Sequence, residues 1–137
     1  MMLLEGVLDG TVDMIATDHA PHSAEEKSRG LKSLNGIVGL EVAFPVLYTE
    51  LVRKGEISLR KLIDVMSFNP ADRFGFKTGG FCIYDLNAKY EIDPTEFASM
   101  GRSTPFAGKS VYGRCLATVI DDKVAYLDSG IITTEKI

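Results

Sequence analysis

Residues 13–17, Asp-Met-Ile-Ala-Thr, constrain the fold more than any other stretch of the chain. Met14, Ile15 and Ala16 are apolar with no period-two alternation, the pattern of a short strand covered on both faces, as in a parallel sheet wrapped by helices. Such a strand needs a hydrogen-bonded neighbour and a cover on each side, because unpaired buried backbone groups are costly. No second strand of that kind is encoded among the 137 residues. Residues 1–79 therefore read as the last strand and helices of a larger α/β domain, and the chain as a carboxyl-terminal piece of a longer enzyme. Its exposed sheet edge is expected to seek a partner, either the missing amino-terminal portion or another copy in a homo-oligomer.

The same stretch runs straight into reactive residues. Asp18 ends it, and both histidines of the chain, His19 and His22, follow at once. Parallel sheets wrapped by helices carry their reactive groups at the carboxyl ends of strands, where Asp18 stands. Pro21 biases Ala20 towards an extended conformation, so the three polar side chains sit on a short, stiff loop. On residue type alone Asp18 also suits a helix N-cap or a turn. A free-standing metal site from Asp18, His19 and His22, with Glu25, is opposed by the stiffness at Pro21 and the want of a firm fourth donor.

Around this loop the chain alternates helical and then extended patterns. Leu3, Leu4, Val7 and Leu8 predict a helix over residues 2–9, closed by Gly10. The charge-rich residues 23–35 read as a solvated excursion. Leu40, Phe44, Leu47 and Leu51 recur with helical period, with Pro45 near the first turn and Gly55 at the end. Ser58 is an N-cap for a helix striped by Leu59, Leu62, Ile63 and Met66. Asn69-Pro70 reads as the cap and first position of a further short helix ending at Gly75. Beyond Gly79-Gly80 the aromatic and β-branched runs Phe81–Tyr84, Val111–Ile120 and Val124–Leu127 predict an antiparallel β-unit over residues 80–137, with a tight turn at Asp121-Asp122-Lys123.

Composition excludes several classes. A net charge of −4 argues against a nucleic-acid surface. The apolar run 37–48 is interrupted by Glu41 and is too short for a bilayer span, so no membrane partner is expected. Met2-Leu3-Leu4-Glu5 meets an acidic residue without a basic n-region, the pattern of a chain without a signal peptide. Cys82 and Cys115, apart in sequence and set among apolar residues, read as buried and reduced in a cytoplasmic protein.

Ile15-Ala16-Thr17-Asp18-His19-Ala20-Pro21-His22, then Glu25-Glu26-Lys27 and Gly36-Ile37-Val38-Gly39-Leu40-Glu41, resembles dihydroorotase of the amidohydrolase superfamily. The resemblance continues through Asn69-Pro70-Ala71-Asp72-Arg73-Phe74-Gly75 and Ser103-Thr104-Pro105-Phe106-Ala107-Gly108. It implies an α/β fold, the carboxyl-terminal part of a (β/α)8 metal-dependent hydrolase barrel followed by the small β-unit. The implied activity is the reversible cyclisation of N-carbamoyl-L-aspartate to L-dihydroorotate in pyrimidine biosynthesis, at a zinc centre. Carried over by residue, Asp18 is implied to be a metal ligand and general acid/base, His22 to bind the substrate carboxylate, and Asn35 and Gly36 to contact the substrate through the backbone. The connection before Asn35 is slightly shorter than the family's, and Asn35 replaces a usual aromatic residue. His19 matches a position where relatives do without histidine and receives no catalytic role.

Opening a cyclic amide needs a polarised carbonyl, a hydroxide and a proton for the departing nitrogen. Zinc would supply the first two, lowering the pKa of bound water to about 7, and Asp18 would move the proton. Of the implied metal shell only Asp18 is present. The family's His-x-His pair, carboxylated lysine and further histidines lie upstream of any residue here, and zinc sites take about three or four protein ligands. Zinc is therefore expected in the complete enzyme and not stably in this chain, which alone is expected to be inactive. Alternative readings are a non-catalytic dihydroorotase-like module acting through a partner subunit, for example aspartate carbamoyltransferase, or another cyclic amidohydrolase of hydantoinase or allantoinase type.

Overall fold

The computed structural model describes residues 2–77 and 79–131; Met1, Thr78 and residues 132–137, which close the expected β-unit, lie outside the described residues. Helix α1 (Met2–Asp9) forms where the apolar spacing predicts it and ends at Gly10, whose φ of 90° is the left-handed conformation glycine adopts without strain. The solvated excursion contains a short helix α2 (Ala24–Lys27) and a 3₁₀ turn (Gly30–Lys32), neither with a buried residue.

The next helical segment starts as a 3₁₀ turn (Leu40–Val42), continues as α3 (Ala43–Leu47) with Pro45 in its first turn, and widens into a π turn (Tyr48–Val52). Ser58 caps α4 (Leu59–Ile63), its hydroxyl accepting from the Lys61 N–H at 3.1 Å. Helix α4 runs through a second π turn (Asp64–Phe68) into α5 (Asn69–Phe74), which ends at left-handed Gly75.

This continuity corrects the reading of Asn69 as an N-cap. Its φ and ψ of −64° and −45° are helical, and its N–H reaches back to the Asp64 carbonyl. A π turn absorbs the following proline, which lacks an N–H and would crowd an ordinary α turn. The consequence falls on Val65. Its α-helical donor, Asn69 N–H, is engaged at Asp64, and the residue one further on is Pro70, which has nothing to donate. The Val65 carbonyl is thus free to accept from the Ile15 N–H at 2.9 Å, and the Asn69 side-chain amide donates to the Asp13 carbonyl at 2.8 Å.

Residues 13–17 are extended but belong to no regular sheet among the described residues. The expected strand is held by one helix carbonyl, that of Val65, and one helix side chain, that of Asn69, in place of a ladder. One isolated parallel bridge, His19 with Ile37, follows it.

The carboxyl half is an antiparallel sheet in the order β1 (Gly80–Glu91), β2 (Ser110–Ile120), β3 (Lys123–Leu127). Asp121 and Asp122 form the β2–β3 turn with φ values of 47° and 61°, the paired left-handed geometry that matches strand twist. Strand β1 extends well past Tyr84, with a register shift between Asp85 and Lys89 where the Asp85 carboxylate accepts from the Asn87 and Ala88 N–H groups.

Helix and sheet share both cores. Val42 and Val46 pack with Ile92 and Val111, while Tyr48, Ile57 and fully buried Leu62 pack with Leu86 and Tyr112. Gly113 permits the close approach: a Cβ there would lie 3.1 Å from Phe44 and 3.2 Å from Tyr48. Among the described residues the start of β1 has no such cover, so Cys82 is exposed and Cys115 only half-buried, against the reading of both as core residues. Phe81 and Ile83 are exposed beside Cys82 for the same reason.

Glu50 links the helical layer to the sheet. Lys109 Nζ lies 2.6 Å from its carboxylate, Lys54 pairs with the other oxygen, and the two hold its pKa at about 2 against an ordinary 4.5. A depressed carboxyl stabilises the fold above its unfolded pKa and loses that contribution as pH falls through the folded value. Glu50→Gln is expected to destabilise most near neutral pH, with the deficit shrinking as pH falls from 4.5 towards 2. Urea unfolding of both proteins across that range checks this; a pH-independent deficit would refute it.

Candidate functional site

Three loops converge on residues 18–22. Asp18 stands at the end of the extended segment with an exposed carboxylate and a φ of 46°. A left-handed conformation costs a non-glycine residue roughly 1–2 kcal/mol, so the surrounding contacts must hold it. The Ala20 N–H donates to the Ile37 carbonyl at 3.0 Å, and the Val38 N–H donates to the Ser103 carbonyl at 2.8 Å, laying residues 37–38 between the first and third loops. Glycines make this packing tight. A Cβ on Gly39 would approach the Thr17 carbonyl to 3.1 Å, and one on Gly101 would sit 2.8 Å from Pro21 Cα.

His22, Asn35 and Gly36 come together. His22 Nε2 lies 2.9 Å from the Asn35 carbonyl, to which it donates, and Nδ1 lies 3.7 Å from the Glu26 carboxylate. Gly36 has a φ of 136°, and a Cβ on it would meet Ala20 Cβ at 2.5 Å and His22 Cδ2 at 3.2 Å. Among the described residues the contacts that gather this trio do not extend to Asp18.

Further residues organise the loops. Ser23 and Glu26 form a capping box on α2: the Ser23 hydroxyl accepts from the Glu26 N–H at 3.2 Å and the Glu26 carboxylate accepts from the Ser23 N–H at 2.8 Å. Those bonds, first from the Ser23 backbone and then from its hydroxyl, hold the Glu26 carboxyl below its usual range, with His22 and Arg29 adding smaller attractions. The short helix aims Lys27, whose ammonium donates to the Leu34 carbonyl at 2.8 Å and the Gly36 carbonyl at 2.6 Å. Lys27 thus straps the loop bearing Asn35 and Gly36. Glu41 acts likewise on the third loop, its carboxylate accepting from the Ala98 N–H at 2.7 Å and the Ser99 N–H at 3.1 Å. The Ser-x-x-Glu spacing before Lys27 is a readable capping signal; nothing local in sequence marks Glu41, whose partners lie far along the chain.

His19 also does more than its position in the motif suggests. Its Nδ1 lies 3.3 Å from the Gly39 nitrogen and 3.1 Å from the Leu40 nitrogen, and its Nε2 lies 3.3 Å from Ser99 Oγ. Two amide donors at Nδ1 require a lone pair there, which leaves the proton on Nε2. Ser99 consequently faces a donor, and His19 does not serve it as a base.

The donor set for zinc is incomplete. Asp18 is the one residue matching the implied metal shell, and among the described residues no three His, Cys, Asp or Glu side chains gather where they could hold a metal ion. The residues present do not by themselves fit the group. The loop also opens onto surface. Two cavities, about 310 Å³ beside Tyr90 and Arg114 and about 620 Å³ between α4 and β1, are bordered by neither Asp18 nor His22.

An extended segment ending in a carboxylate, followed by helices and an antiparallel unit, is the architecture of the carboxyl-terminal part of an amidohydrolase barrel. L-Hydantoinase (dihydropyrimidinase) from Arthrobacter aurescens matches with a TM-score of 0.79 and 32% identity, covering 89% of this chain and 30% of that one. The inactive dihydroorotase-like domain of the Chaetomium thermophilum CAD-like multifunctional protein shares the fold at a TM-score of 0.67 and 24% identity, over 92% of this chain and 35% of that one. In sequence the chain is similar to the carboxyl-terminal portion of dihydroorotase: that of Bacillus cereus is 50% identical over 133 residues, covering 90% of this chain. The match spans 31% of that relative's length. No protein-family model matches the chain.

Gly36→Ala is expected to destabilise the chain by about 1–3 kcal/mol, since the site combines a left-handed backbone with a blocked Cβ direction. Thermal unfolding with His22 imidazole NMR reads both stability and ring environment. A variant as stable as wild type with an unmoved His22 signal would overturn the close approach.

Proposed function

We propose that the chain is the carboxyl-terminal part of a zinc-dependent dihydroorotase, a cytoplasmic enzyme interconverting N-carbamoyl-L-aspartate and L-dihydroorotate in pyrimidine biosynthesis. The observation that carries this reading is the 50% identity to dihydroorotase over 133 residues. In this proposal residues 1–79 complete a barrel supplied mainly by the rest of the enzyme, and residues 80–137 form the appended β-unit. Zinc belongs to the complete enzyme, with Asp18 its one ligand from this chain.

Ring opening adds the elements of water across the C–N bond: oxygen joins the carbonyl carbon, the C–N bond breaks, and a proton passes to the departing nitrogen. Asp18 takes that proton from the attacking oxygen and returns it to nitrogen, a role that contributes about 10²–10⁴-fold. Its exposed carboxylate at the end of the extended segment supports this assignment. His22 binds the substrate carboxylate, and the backbone of Asn35 and Gly36 completes the contact. Support comes from the 2.9 Å bond between His22 and the Asn35 carbonyl, which sets ring and loop side by side. Orientation of this kind lowers the entropic part of the barrier.

A second reading is a non-catalytic module working through a partner subunit such as aspartate carbamoyltransferase, or through self-association of the exposed edge. The fold likeness to a domain described as inactive favours it; the presence of both Asp18 and His22 favours catalysis. A cyclic amidohydrolase of hydantoinase type is the third, supported by the 32% identity to L-hydantoinase.

In the complete enzyme, Asp18→Asn is expected to lower kcat by about 10²–10⁴-fold, and His22→Asn to raise KM for dihydroorotate by about tenfold. Steady-state assays with dihydroorotate and hydantoin side by side separate the two enzyme readings. The pure 137-residue chain should turn over neither substrate, and turnover by it would refute its dependence on the rest of the barrel.

A further inference from the structure

We infer that His19 is a positioning residue: its imidazole caps the helical turn Leu40–Val42 from a distant point in the chain and thereby holds the Asp18–His22 loop in place. This rests on the reading above that Asp18 and His22 act on substrate. The first N–H groups of a helical turn have no partner within it. Gly39, the local N-cap, has no side chain to offer, and the turn has no local side-chain cap. His19 Nδ1 fills the vacancy, accepting from the Gly39 and Leu40 N–H groups at 3.3 and 3.1 Å.

The backbone of His19 is held on the same side, bridged in parallel to Ile37, with the next N–H, that of Ala20, bonded to the Ile37 carbonyl at 3.0 Å. Ring and backbone together pin His19 at two points. Asp18 immediately precedes it in a left-handed conformation, so the direction of the Asp18 carboxylate follows from where His19 is pinned. On the far side of the ring, Nε2–H faces Ser99 Oγ at 3.3 Å, and Ser99 is itself fixed by Glu41. The loop carrying Ser99 and Gly101 lies against Pro21 and His22. One imidazole therefore joins all three loops.

Two substitutions separate this role from general stabilisation. His19→Asn places an amide oxygen near the Nδ1 position and keeps the acceptor for Gly39 and Leu40; His19→Gln places its amide near the Nε2 position and keeps only the contact with Ser99. In the chain, hydrogen exchange at Gly39 and Leu40 should quicken about tenfold in His19→Gln and stay within about threefold of wild type in His19→Asn, with Leu62 and Val65 unchanged in both. In the complete enzyme, kcat should fall about tenfold in His19→Gln with KM nearly constant, and His19→Asn should restore it. Equal behaviour of the two variants, or exchange at Leu62 and Val65 moving with Gly39 and Leu40, overturns the inference. Full activity in Asp18→Asn would instead overturn the functional reading, and the Asn–Gln contrast in exchange would still decide whether His19 orders the loop.

Discussion

The Val65 carbonyl is the point on which the arrangement of this chain depends. Pro70 has no N–H, and the π turn that accommodates it draws the Asn69 N–H to Asp64. A buried carbonyl without a donor is costly, and here the donor comes from Ile15, far back along the chain. Through that bond and the Asn69 side chain, the irregularity in one helix becomes the support of the extended segment. In a sheet that segment would be held by neighbouring strands; here the helix backbone takes over part of the task.

From there order passes to the loop. Asp18 turns left-handed at the segment's end, and the loops around it are fixed by side chains that reach into backbone: His19 to Gly39 and Leu40, Lys27 to Leu34 and Gly36, Glu41 to Ala98 and Ser99. Each of these satisfies backbone groups that regular secondary structure leaves over. Glycines at 36, 39 and 101 bring the backbones close enough for the bonds to form. The site is thus built as a rim of mutually bonded loops, in a chain that matches 31% of the length of its dihydroorotase relative.

Much of this could be read in advance, and the failures have physical causes. The helix after Ser58 and the Asp121–Asp122 turn were legible because cap and turn chemistry are local. Asn69 misled because Asn before Pro is a common helix start; whether an upstream helix runs into it depends on the π turn, which local propensity does not encode. The cysteines misled because apolar neighbours predict burial only where another layer covers the strand, and the start of β1 has none among the described residues. The role of His19 is not legible in sequence because its partners lie 20 and 21 residues away and are main-chain amides, which leave no mark in side-chain sequence.

By itself the sequence determined the local periodicities: the helices over residues 2–9 and after Ser58, the antiparallel β-runs with their Asp121–Asp122 turn, and a carboxylate and two histidines placed on one short loop. These follow from backbone sterics and side-chain spacing, which act over a few residues. Tertiary structure decided which backbone groups would be left without partners and which distant side chains would satisfy them. That choice depends on the packing of helices on the sheet and on the approach of three loops, and no local pattern contains it.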